Sequence, residues 1–234
     1  MLDEKYSAPE SKMKKGSNNS QAWPFDAMAS VYDAWFGVGG KTIFDIEVRA
    51  FRDILPFLPK PWLEVGVGSG RFAQALGIEM GVEPSIKMAE MARKRGTAVL
   101  LGIAEGEPFR EHTFGTLFLI VTLCFVTSPL AVLKESCRIL VPGGKLVLGL
   151  VLSDSPFGKF YEEKKKRGHR FYKYATFCNF AEVARLLEQV GFSIERVIAT
   201  LFQKPGEVKY VESPQEGFSS DAGFIIIVAG KSIS

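Results

Sequence analysis

Cysteine and histidine are scarce in this chain, and their scarcity narrows the chemistry before any motif is read. Three cysteines, Cys124, Cys137 and Cys178, and two histidines, His112 and His169, are spread over 234 residues. The cysteines form no CxxC pair and have no metal-ligand spacing, so neither a structural metal site nor a disulfide framework is indicated. Cys124 and Cys137 lie in apolar stretches and are expected to be buried thiols. Their odd number and lack of pattern fit a reducing, cytoplasmic setting. No run of about 18 apolar residues is present, which argues against a membrane span. The start of the chain lacks a basic stretch followed by an apolar one, so no secretory signal is expected. Charge of one sign is also lacking. The formal net charge is +3, which argues against a nucleic-acid partner.

The length suits a single domain with one sizeable core. Residues 1–22, rich in Ser, Asn, Lys and Pro, are expected to form a flexible lead-in. Residues 23–234 are expected to form the domain. Its first part, about 23–58, reads as two helices, an aromatic one over 23–36 and a second from Lys41 to Leu58. The aromatic helix is either core packing or a lid over a ligand pocket.

The most informative stretch is PWLEVGVGSGRF at 61–72. An apolar strand, Trp62-Leu63-Glu64-Val65, runs into Gly66, Gly68 and Gly70, and a helix opens at Arg71. A strand, a glycine turn and a helix make the ligand-cradling corner of a doubly wound sheet. A dinucleotide fingerprint would need its third glycine where Arg71 stands. The pattern is instead E-x-G-x-G-x-G, with the acid at the strand end. Glu64 would repel a pyrophosphate at a helix N-terminus, where anions are otherwise favoured. It suits a cationic ligand, an ammonium beside a sulfonium, and so points to S-adenosylmethionine (SAM) over NAD.

Further strands are predicted at 78–83, 97–103, 114–123, 145–152, 193–202 and 224–231, with helices at 85–95, 129–140 and 179–190. Strands alternating with helices in this way predict α/β architecture with a mostly parallel sheet. Glu83 ends the second strand near the offset of about 20 residues at which a ribose-binding acid follows such a turn. Glu64, the glycines, Glu83, Ala104, Glu105 and Thr122 all fall at strand carboxyl ends, where ligands of such sheets bind.

With these segments in order, the chain resembles the class I SAM-dependent methyltransferases, especially the small-molecule group related to menaquinone and ubiquinone biosynthesis enzymes. The segments that carry the likeness are LEVGVGSGRFAQAL, GVEPSIKMAEMARKRG, GIAEGEPF, CFVTSPLAVLKESCRILVPGGKLVLGL and GFIIIVAGK. The resemblance implies a doubly wound, Rossmann-like sheet of seven strands with the last one antiparallel. It implies that Glu64, Gly66, Gly68 and Gly70 surround the methionine part of SAM and that Glu83 holds the ribose hydroxyls. Pro84 and Met88 would lie beside the adenine, Ala104 and Glu105 along its edge, and Thr122 with Leu123 near the methionine end. Tyr32 would cover the sulfonium. Where relatives carry Phe-Asp at the start of the fourth strand, this chain has Phe114-Gly115, a difference expected to bear on local stability alone.

Methyl transfer from SAM requires an acceptor held in line more than it requires a fixed base. No catalytic residue is assigned; Tyr32 and His169 are the candidates, and His112 is expected at the surface. The segment about 154–176 reads as an acceptor-side insertion. Its lysines, arginines and aromatics give a solvated helix face, a lid for an anionic small molecule, or an RNA contact. The acceptor pocket is expected to draw on the lid at 25–36, this insertion and the loop at 203–220. The leading expectation is transfer of a methyl group to a small molecule by in-line displacement, with S-adenosylhomocysteine (SAH) as by-product and no metal. An RNA or protein methyltransferase, and a non-catalytic SAM-binding regulator, are the alternatives.

Overall fold

The computed structural model describes residues 22–106 and 108–232. The expected lead-in lies outside them, save for Ala22, which opens the first helix. Helix α1 spans Ala22–Trp35 and α2 spans Lys41–Arg52. The second helix was expected to reach Leu58. Instead the chain leaves it at Asp53 and makes one short 3-10 turn, Leu55–Phe57. Pro56 lacks the N–H that a continuing helix would bond back to Arg52.

Eight strands follow: β1 (Trp62–Val65), β2 (Met80–Glu83), β3 (Ala98–Leu101), β4 (Phe114–Ile120), β5 (Leu140–Leu150), β6 (Phe192–Thr200), β7 (Gln215–Glu216) and β8 (Phe224–Lys231). They form one sheet in the order β3-β2-β1-β4-β5-β8-β6-β7. Strands β1 to β5 are parallel, and β8 runs antiparallel between β5 and β6. One strand more than expected is present. β7 is a two-residue segment paired with β6 at the sheet edge, too short for any hydrophobic period to mark it.

The remaining helices are α3 (Arg71–Leu76), α4 (Ile86–Lys94), α5 (Pro129–Ile139), α6 (Pro156–Lys166) and α7 (Phe180–Val190). Several start where a short polar side chain satisfies a free amide. Ser85 Oγ accepts from the Met88 amide at 3.2 Å, and Ser155 Oγ from the Gly158 amide at 2.9 Å. Asn179 and Glu182 form a reciprocal capping box at α7. Among the described residues no helix is long and apolar enough to cross a membrane.

Helices cover both faces of the sheet, and β4 shows why its sequence is apolar without a break. Every residue of β4 is buried. Alternate side chains enter opposite cores, as a period of two requires. Phe118 and Ile120 join Phe51, Phe72 and Phe224 on one face, whereas Leu117 and Leu119 join Leu133 and Leu187 on the other. The two expected buried thiols are only half-buried at Cys124 and Cys137, because both sit at the margins of these cores.

Gly115 is explained by backbone proximity. A methyl group on it would lie 2.5 Å from the Pro59 carbonyl oxygen and 2.6 Å from that of Lys60. The Gly115 amide donates to the Pro61 carbonyl at 2.9 Å, and Thr116 Oγ1 donates to that of Pro59 at 2.8 Å. The start of β4 is thus fastened to the 59–61 segment through that segment's carbonyls. At the opposite, carboxyl end, the strand order turns back on itself between β1 and β4. That reversal opens the crevice where such sheets bind ligands.

Candidate active site

A cavity with about 730 Å³ of empty space, part of it open to solvent, occupies the crevice. Gly66, Gly68, Glu83, Pro84, Met88, Ala104, Glu105 and Thr122 line it, together with Tyr32 from α1. Two of the glycines have separate physical reasons. Gly66 has φ +72°, and a methyl group on it would lie 2.4 Å from the Thr122 side chain. Gly68 has φ +54° with nothing near its missing side chain, which leaves bare backbone facing the cavity.

Glu83 is held rigidly. Its two carboxylate oxygens accept separately from the Gly68 amide and the Ser85 amide, each at 2.9 Å. Burial pushes its pKa up to about 7, the charge of Asp26 adds to the rise, and the two amides partly offset it. The oxygens keep lone pairs for a ligand's hydroxyl groups.

Glu64 is 1% exposed, and its Oε2 has no hydrogen-bond partner. Burial raises its pKa well above the ordinary value, Glu83 raises it further, and the Ala73 amide lowers it. The side chain lies beneath the crevice and is not among those lining the cavity.

Helix α1 is clamped over the glycine corner by acids that the sequence reading did not single out. Asp33 accepts from Ser69 Oγ at 2.6 Å and pairs with Arg71 and Arg95 at 2.8 Å each. Burial alone would raise the Asp33 pKa, but the bonds from Arg71, Ser69 and Arg95 outweigh it and hold the carboxyl well below its usual range. Two turns earlier, Asp26 accepts from Ser85 Oγ and from the Lys87 amide.

A second cavity, with about 900 Å³ of empty space, adjoins the first and shares Tyr32, Val121 and Phe125 with it. Its wall includes nine aromatic side chains, among them Trp35, Phe36, Tyr161 and Tyr172. Tyr161 and Tyr172 stack with centroids 4.2 Å apart, and Phe171 meets Tyr32 edge to face at 5.4 Å. Glu47, Lys164 and His169 supply its charged and titratable groups. Val121, at the junction, has φ +53°, a strained conformation for a β-branched residue and one that clusters at functional sites.

The structure brings most of the expected residues together and leaves some apart. Gly70 caps α3 with φ +80° and packs against Ala92 without reaching the cavity. Leu123 faces the opposite core. Glu105 lines the cavity while accepting from the Thr127 amide at 2.9 Å. Tyr32 lines both cavities and His169 the second, whereas His112 is exposed. The lid and the 154–176 insertion both wall the second cavity, but no residue of 203–220 does. Of the basic run, only Lys164 faces inward; Lys165 and Lys166 pair with Glu162 and Glu163. Glu47 was overlooked, although a signal existed. It shares a helical face with Ile43, Phe44 and Phe51, and an acid on an apolar stripe is unusual.

Residues 63–148 match the family model described as a methyltransferase domain. A protein of Mycobacterium tuberculosis is 38% identical over 203 residues, which are 86% of this chain and 71% of that one. A protein of Methanocaldococcus jannaschii is 37% identical over 207 residues, covering 88% and 98% of the two chains. The crystal structure of a SAM-dependent methyltransferase from Thermotoga maritima, described as a possible histamine N-methyltransferase, superposes with a TM-score of 0.84 at 38% identity. That match covers 91% of this chain and 100% of the other. With the doubly wound sheet and the glycine corner in hand, these likenesses decide the family: the chain belongs to the class I SAM-dependent methyltransferases.

Proposed function

We propose that the enzyme transfers the methyl group of SAM to a small molecule held in the aromatic cavity. The observation that carries this reading is the junction: a carboxylate-and-glycine cradle and an aromatic chamber meet at Tyr32, Val121 and Phe125. The cradle fits the cofactor. Gly68 offers open backbone, and Glu83 presents oxygens already oriented by two amides. Glu83 would hold the ribose hydroxyls, with Pro84, Met88 and Ala104 around the adenine and Gly66 and Thr122 toward the methionine end. When bound, SAM supplies an activated methyl group on a sulfonium that leaves as a neutral thioether.

The protein's own part is positional. The rings around the chamber confine the acceptor on the line through the junction and exclude water from it. Burial, with the charges of Tyr172, Cys124, Glu47 and Glu83 adding to it, drives the Tyr32 pKa far up. Its hydroxyl therefore keeps its proton at neutral pH and acts as a hydrogen-bond donor. Burial lowers the His169 pKa, and Lys164 and Arg170 lower it further; its Nδ1 accepts from the Phe171 amide at 3.4 Å, which suits the neutral ring to orient an acceptor through its other nitrogen. A chamber enclosed by α1, α2 and α6 side chains suits a small acceptor better than a nucleic acid or a protein segment. The description of the Thermotoga relative points the same way.

The test is calorimetric binding of SAM, SAH and NAD, followed by transfer of a labelled methyl group to panels of small amines, phenols and carboxylates and to bulk RNA. Micromolar SAH binding, no NAD binding and label on a small molecule are expected. NAD binding in place of SAH, or label found on RNA alone, would overturn the proposal.

A further inference from the structure

Glu47 has no role in the cofactor crevice and no evident role in holding the fold. It lies on α2, is 6% exposed, and has neither a hydrogen bond nor an ion pair with any described residue. An unpaired carboxylate in an apolar setting costs several kcal/mol. Burial alone pushes its pKa up to about 8, with no opposing contribution from Lys164 or any other cation. A residue serving only to pack α2 would be apolar, as its neighbours Ile46 and Val48 are. Yet Glu47 opens onto the aromatic chamber.

The groups around it define what would satisfy it. Tyr32, Tyr161 and Tyr172 lie near enough to feel its charge, and each keeps its phenolic proton. Aromatic faces attract cations through their quadrupole, most strongly once water is removed. The two positive candidates in the same chamber lie to one side. His169 is neutral, and Lys164 is half-exposed with its ammonium 4.4 Å from the Phe160 ring centroid. A basic lid for an anion was one reading of the 159–173 run, but the most buried titratable group lining the chamber is an acid, which ionises once a cation sits beside it.

Resting on the methyltransferase reading of the adjoining crevice, we infer that the acceptor carries a protonated nitrogen, as an amine or imidazolium on a compact framework, and that Glu47 anchors it among the rings of Tyr32, Trp35, Phe36 and Tyr172. Glu47 is the residue that selects the cation. The rings alone would accept any apolar molecule of the right size.

The experiment compares 2-phenylethylamine with two near-isosteres, neutral 2-phenylethanol and anionic 3-phenylpropionate. Each is titrated calorimetrically into the protein alone and into the SAH-saturated protein. The amine is expected to bind at least tenfold more tightly than either isostere. In Glu47→Gln that preference is expected to fall to within threefold, while SAH affinity stays within twofold of wild type, which also shows that the variant is folded. Equal binding of the three, a preference for the anion, no binding of any, or a preference that survives Glu47→Gln would each overturn the inference. The wild-type series alone decides the amine preference should the variant not fold. Loss of SAH binding by wild type would defeat the methyltransferase reading separately, because the amine series is also read on protein without SAH.

Discussion

The two cavities are neighbours built on opposite plans. The first cavity, the proposed cofactor crevice, is made of strand ends and tight turns, and its key groups are held by the main chain: the Gly68 and Ser85 amides donate to Glu83, and the Gly66 and Val67 amides donate to the Val82 carbonyl. The aromatic chamber is made of side chains, with rings from α1, α6 and the segments that follow them packed against one another, and its central acid, from α2, has no partner among the described residues. Backbone geometry admits few changes, whereas a wall of interchangeable rings admits many. That contrast explains how one fold serves many acceptors with a single cofactor.

Four substitutions would break or sharpen the contrast. The largest effect is expected from Gly66→Ala, since the added methyl group meets Thr122 at 2.4 Å on a backbone with φ +72°. Stability should fall by about 2–3 kcal/mol in denaturant titration, and SAH affinity should fall with it. Retention of both would show that the corner is as yielding as the chamber.

Next is Glu83→Ala, which should weaken SAH by at least tenfold, about 1.4 kcal/mol, in calorimetry. The wild-type affinity should also depend on pH. Burial pushes the Glu83 pKa up to about 7, and the proposed bonds from the ribose hydroxyls need the ionised form. Affinity should therefore climb from pH 5.5 to about 7 and level off above, with the slope abolished in the alanine variant.

Asp33→Asn tests the clamp that ties the two regions together through α1. Its partly exposed ion pairs warrant about 1 kcal/mol after allowance for solvent screening. Because folding depresses this carboxyl's pKa, its contribution is complete above its unfolded value of about 4 and is lost as pH falls through the folded one. The variant should therefore lose stability at pH 7 and show a shallower acid limb in unfolding experiments. Smallest of all should be Tyr172→Phe, which keeps the ring stacked on Tyr161. SAH affinity should stay within twofold, and only the acceptor KM should move, by a few-fold.

The same contrast governs what could be read from the sequence. Crevice residues lie on short, contiguous motifs whose spacing follows from the turn they make, so Gly66, Gly68, Glu83, Pro84 and Met88 were legible in order. The chamber is assembled from segments more than a hundred residues apart, and no local spacing links Glu47 to Tyr172. Tyr32 and His169, which line the chamber, drew attention in the sequence because each stands in a distinctive segment. Leu123 and Gly70, also expected at the site, do not line the crevice, and the reason is different. A sequence position beside a site does not say which face of the sheet a side chain enters, nor whether a glycine serves the ligand or the neighbouring helix.

Tyr32, Val121 and Phe125 form a partition common to both cavities, and that sharing has a thermodynamic consequence. Two ligands that press on one set of side chains from opposite sides do not bind independently. Whatever factor the bound cofactor imposes on the acceptor's dissociation constant, the acceptor imposes the same factor on the cofactor's. Either measurement therefore gives the other, and a substitution in the partition that alters one alters both by an equal amount.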